Sequence, residues 1–267
     1  MKKIKEFLNK STTEVKILIL VIVSVILLAS YGIWTEYNSG EINIAVPYQR
    51  SSIFLDGKKI NTTNSNNQSV ILKRIPPGEH SVLVYADNRY PWEKTVYVKK
   101  GGMSKLYPFL MLTELNKETS NVMTKLTDDK ISEIKPLFEE QSKNTFMSLS
   151  DDGDIEIKKE DNSILATRLN DGTKTSDLFC SNNGECVKTI NVFTPKTGKI
   201  KAVDFYPKRE DVVIFTLDNG IYAIEINKNG TQNFQPIYTG DNPSFAIDDQ
   251  NSLIYIKDGD LVFGVNL

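Results

Sequence analysis

Two cysteines, one histidine and a scatter of carboxylates are the residues of this chain that could do chemistry. Cys180 and Cys186 flank the segment SNNGE, and Asn183-Gly184 within it is a strong hairpin-turn signal because both residues tolerate positive φ. A hairpin there brings the sulfurs together, and an oxidising compartment joins them. A redox-active pair usually has C-x-x-C spacing, so a structural staple worth about 2 kcal/mol of loop-closure entropy is the expectation. His80 lies in the strand-like run EHSVLVYA beside polar Ser81 and reads as a satisfied or solvated strand residue. A zinc site would have to recruit carboxylates, and Asp151, Asp152 and Asp154 lack the acidic ligand that ends a calcium loop. Turn chemistry accounts for those aspartates. No catalytic, cofactor-binding or metal-ligating residue is expected.

The elements that position these groups begin with a membrane signal. Residues 17–34, ILILVIVSVILLASYGIW, contain no charged side chain. At 1.5 Å per residue they form a helix of roughly 27 Å, close to a bilayer's hydrocarbon thickness. A cleaved signal peptide has a shorter apolar region, of about 7–15 residues, and Tyr31 and Trp34 suit an interfacial belt. Lys2, Lys3, Lys5, Lys10 and Lys16 against Glu6 and Glu14 give this flank +3 (5 − 2). The positive-inside rule then predicts a cytoplasmic tail at 1–16, a signal anchor at 17–34 and an extracytoplasmic remainder. That remainder carries −5 (−2 − 3), which gives nucleic acid no basic face to bind. Its partners are lipid through the anchor and other envelope components.

Beyond Glu41 the pattern is strands and turns. Runs at 42–46, 52–60, 70–75, 80–86 and 93–100 are punctuated by Asp56-Gly57, the polar patch NTTNSNNQS, Pro76-Pro77-Gly78 and Gly101-Gly102. The ordered set LDGKKI, then LKRIPPGEHSVLVYADNRYPWEKTVYVKKGG, resembles the PEGA domain, a small β-module of bacterial and archaeal surface proteins. The resemblance covers about residues 42–112 and implies an antiparallel β-sandwich for adhesion or scaffolding, with no catalytic residues to carry over. Tyr48-Gln49-Arg50-Ser51-Ser52 and the Asn-rich patch depart from the family pattern. Tyr90 and Trp92 are the candidate contact aromatics, able to stack on glycan or to close a small core.

Residues 113–143 are charged and read as a connector with short strand or helical pieces. From 144 a strand-turn-strand texture repeats, with turn glycines Gly153, Gly220 and Gly259. This region, and DFYPKREDVVIFTLDNGIYAIEI most of all, resembles extracytoplasmic TolB-like or WD40-like β-propellers. About twelve strands make three blades, fewer than the four to eight of closed propellers. The ring is then incomplete and pairs with a partner or another copy, or the strands fold as a different sandwich.

The chain is thus expected to be mainly β. It reads as a single-pass anchored binding or scaffold protein of the cell envelope, contacting protein or surface glycan. The alternative is a cell-wall or surface-glycan hydrolase using paired carboxylates.

Overall fold

The computed structural model describes residues 12–66, 68–113, 123–143, 146–170, 176–181, 185–227, 230–248 and 253–266. The lysines expected at the start of the cytoplasmic tail and the Asn183-Gly184 turn lie outside them. The chain forms two compact units. One comprises the described residues of Met1–Ala45 with Ser69–Glu79 and Tyr97–Tyr107; the other comprises Val46–Gln68, His80–Val96 and the described residues of Pro108–Leu267. Both units take pieces of the 42–112 stretch.

In the first unit α1 (Thr13–Tyr37) is a 25-residue helix, the one helix among the described residues long and apolar enough to cross a membrane. Its β-branched run has little reason to be helical in water. In lipid, a helix satisfies every backbone group internally. Ser24 and Thr35 donate their hydroxyls to the carbonyls of Leu20 and Gly32, so the polar atoms of the segment are also satisfied within it. Among the described residues nothing covers its central window, and Leu28 and Trp34 are 71% and 62% exposed. β1 (Gly40–Val46) follows almost at once. It pairs in parallel with β7 (Met103–Leu106), while β4 (Gln68–Ile75) flanks its other edge. Ile42 and Ile44 on alternate positions of β1 are fully buried.

The second unit holds β2 (Ser52–Leu55), which pairs with β3 (Lys58–Thr62) and with β5 (Gly78–Tyr85); β6 (Trp92–Val98) completes that sheet. Three further sheets, each four-stranded, follow. The first, sheet A, is the meander β9 (Met147–Leu149), β10 (Ile155–Glu160), β11 (Ser163–Arg168) and β12 (Thr189–Phe193). A short helix, Ser176–Phe179, precedes β12. Sheet B is β13 (Ala202–Phe205), β14 (Val212–Leu217), β15 (Gly220–Glu225) and β16 (Phe234–Thr239). Sheet C is β17 (Ser244–Asp248), β18 (Leu253–Asp258) and β19 (Leu261–Asn266), and its fourth strand is β8 (Met123–Lys125), from ahead of sheet A.

Sheet A buries one face, whereas β14 and β15 of sheet B are buried on both. Ile155, Ile157, Ile164 and Ala166 of sheet A form one core with Val203, Val213, Phe215 and Ile224 of sheet B. Tyr238 of sheet B meets Phe263 of sheet C at 5.2 Å. The opposite face of sheet C, Leu253, Tyr255 and Val262, is covered by α2 (Asp128–Lys143) through Ile131, Ile134, Leu137 and Phe138. Residues read as a connector therefore supply both an edge strand and a cover.

Candidate functional site

Trp92 and Lys94 sit two residues apart on β6, so they point the same way. The Trp92 indole donates to Glu225 Oε1 at 2.6 Å, and the Lys94 ammonium donates to Glu225 Oε2 at 2.7 Å and to the Asn227 carbonyl at 3.1 Å. All three residues are buried, at 2%, 7% and 5% exposure. Asn233 pairs with the same strand as a backbone would: its Oδ1 accepts from the Glu93 N–H at 3.0 Å and its Nδ2 donates to the Glu93 carbonyl at 2.9 Å. Gln235 accepts from the Met111 N–H at 2.7 Å and donates to the carbonyls of Pro91 and Phe109. Satisfied side chains of sheet B thus lock β6 and the 109–111 segment in place.

This lock settles where the two candidate contact aromatics lie. Trp92 is enclosed, and no face of its ring is offered to a sugar. Tyr90 is half-buried; its N–H donates to Met111 and its hydroxyl reaches the Thr113 carbonyl at 3.4 Å. Phe234, an exposed aromatic that sequence reasoning did not single out, is 43% exposed and stacks on Phe193 at 5.6 Å and on Tyr222 at 5.2 Å.

Cys180 and Cys186 form a disulfide with Cα atoms 4.0 Å apart, and the two residues also make an antiparallel bridge. His80 Nδ1 lies 2.8 Å from Asp56 Oδ2, while Asp56 Oδ1 accepts from the Ser81 N–H. The histidine's hydrogen bond holds the Asp56 carboxyl below its usual range. Asp152 Oδ1 accepts from the Asp154 N–H and the Ser150 hydroxyl, closing the turn in which Gly153 has φ of +73°.

A cleft of about 70 Å³ opens among Ser148, Asp151, Asp204, Tyr206, Lys208 and Glu210. The Ser148 hydroxyl donates to Asp204 Oδ1 at 2.6 Å, bridging β9 and β13. Burial pushes the Asp204 carboxyl up, and this hydrogen bond and the Phe205 N–H only partly oppose it. Glu210 is pushed up by burial and then by the negative charge of Asp152. Burial also raises the Tyr206 hydroxyl far above its ordinary value. Arg209 is fixed by a two-pronged bond to Asp211, at 2.8 and 2.6 Å. At about 30 Å³ per water the cleft holds roughly two waters, against about 300–1,000 Å³ for a small-molecule site.

No protein-family profile and no curated protein matches this sequence. Among solved structures it is similar to one from Bacteroides uniformis described as a "putative carbohydrate binding protein", at 14% identity and a TM-score of 0.22, over 75% of this chain and 98% of that one. A likeness this low says nothing about fold or ligand.

Proposed function

We propose that this chain is a single-pass, membrane-anchored extracytoplasmic scaffold or binding protein of the cell envelope, acting by contact with protein or glycan and not by catalysis. α1 is an uncleaved signal anchor with residues 1–16 in the cytoplasm. Residues 42–112 are a PEGA-type module, and 144–267 are a three-bladed, incomplete β-propeller that associates with a partner or another copy.

The observation that carries this reading is the junction between helix and sheet. The Gly101 N–H donates to the Ser39 carbonyl at 2.9 Å, and the Lys100 ammonium lies 4.1 Å from the Tyr37 ring centre. The helix thus passes into β1 within three residues and is bonded to the turn before β7, as expected of an anchor that holds its first sheet at the membrane. The disulfide supports an oxidising compartment. The three four-stranded meanders, the last completed by β8, support the propeller reading.

Crosslinking the full chain in its own membranes, followed by affinity capture and mass spectrometry, tests the function. The expected result is a crosslinked envelope protein, glycan or second copy, with no turnover of glycan or peptidoglycan by the purified chain. A strictly monomeric chain without crosslinks contradicts the contact role. Turnover abolished by changing a carboxylate pair would replace it with the hydrolase.

A further inference from the structure

The last turn of α1 and the start of β1 are acidic, with Glu36 and Glu41, yet the fold returns cations to them. Arg74, at the end of β4, lies 3.8 Å from Glu36, and Lys73 lies 4.0 Å from Glu41. Both basic side chains are about two-thirds exposed, at 66% and 69%. The turn before β7 comes back to the helix exit as well. The Glu41 N–H donates to the Gly102 carbonyl at 2.9 Å, and Lys100 stands over Tyr37. The approach is close enough to require a glycine: a Cβ on Gly40 would lie 2.5 Å from the Lys99 carbonyl oxygen and 2.5 Å from a Val98 methyl.

Counting Lys73, Arg74, Lys99 and Lys100 against Glu36, Glu41 and Glu79, the collar carries +1 (4 − 3). The excess sits on Lys99 and Lys100, exposed side chains that enter no ion pair among the described residues. Trp34 and Tyr37 below them, 62% and 70% exposed, and Met103 beside them at 48%, make an aromatic and apolar fringe of the kind that settles at headgroup depth.

We propose that this collar, with Lys99 and Lys100 at its centre and Arg74 and Lys73 beside them, binds anionic phospholipid headgroups of the bilayer that α1 spans. The proposal rests on the anchor reading. If α1 crosses the membrane, the bonds from 99–102 to 37–41 put these ammonium groups at the lipid surface. Each cation held there favours anionic lipid by roughly fivefold, less where salt screens it.

The test uses the full chain in nanodiscs of phosphatidylcholine alone or with phosphatidylglycerol, reading amide hydrogen exchange at 99–103. Exchange about fivefold slower in the anionic discs is expected, lost in the double variant Lys99→Glu and Lys100→Glu, with β1 protection unchanged. Equal rates in both discs, with the chain inserted, overturn the collar alone. Protection produced in neutral discs by soluble polyphosphate overturns it in favour of an anionic-polymer site. A chain that does not enter either disc overturns anchor and collar together.

Discussion

Sheets A and C are each four antiparallel strands, but their outer faces end differently. On sheet C the outward residues Leu253, Tyr255 and Val262 are apolar and lie beneath α2. On sheet A the residues paired across the outward face are Glu156 with Thr167 and Lys158 with Leu165, all half-buried and met by no cover among the described residues. Met147 and Leu149, about half exposed on β9, are its apolar margin. The contrast follows from burial energetics: an apolar outer face requires a cover, and a mixed polar one remains solvated. The β11–β12 connection of sheet A carries the disulfide and β9 lines the cleft, so sheet A adds local devices to the core that it shares with sheet B, while sheet C gains a helical cover.

The largest effect belongs to neither end. Glu225→Ala leaves Lys94 as a buried uncompensated charge and should cost about 3–5 kcal/mol, while the paired change Lys94→Met with Glu225→Leu restores only the charge part of it, the Trp92 indole N–H still lacking its acceptor. Urea unfolding of both variants checks this, and equal losses would show that the lock is not an ion-pair effect. Next, Ile134→Ala, 3% exposed in the parent chain, removes covering packing from sheet C and should cost about 3 kcal/mol. Hydrogen exchange should then show β17–β19 opening before sheet A. If both ends open together, the covered and uncovered ends are one cooperative unit.

At the uncovered end, replacing Cys180 and Cys186 by serine should cost about 2 kcal/mol and loosen β11 and β12 first. A pH effect there is smaller. The buried Asp204 carboxyl is held above its ordinary 3.8, so its contribution is present below that value and is lost as pH rises through the raised one. Glu210 acts in the same direction, whereas Asp152, lowered by the Asp154 N–H, contributes above its ordinary value and loses this on acidification. Protection at β9 and β13, taken relative to the free-amide rate so that base catalysis cancels, should therefore fall as pH rises through the raised Asp204 value, and Asp204→Asn should flatten that dependence. A profile unchanged by Asp204→Asn would assign it elsewhere. Least of all, Thr167→Ala on the open face should change stability by less than about 0.5 kcal/mol. A larger loss would mean that this face is covered.

Much of this plan is legible in the sequence where one period dominates. The uncharged 17–34 run reads as a helix, the alternation in β10 and β11 reads as strands buried on one face, and the short apolar runs of β14 and β18 read as strands buried on both. Helix α2 is harder to see. Ile131, Ile134, Leu137 and Phe138 do fall on one face, but Leu115, Val122 and Leu126 nearby dilute the period, and Pro136 lies inside the helix. The lock is long-range: Lys94 and Glu225 are 131 residues apart, and no local pattern pairs them. A lone acidic residue inside an apolar strand, Glu225 in GIYAIE or Asp204 in AVDF, was the available signal. Lys99 and Lys100 read as an ordinary charged strand end, because only the fold brings them back to the helix exit.

The central claim is that α1 is retained and runs directly into the first sheet of an extracytoplasmic protein. The intact mass of the protein extracted from carbonate-washed membranes tests it most directly. The account predicts a chain that still carries all of Thr13–Tyr37, remains with the membrane after the wash and loses everything beyond α1 to protease added outside. A mature chain beginning near Tyr31 and released by carbonate would contradict it.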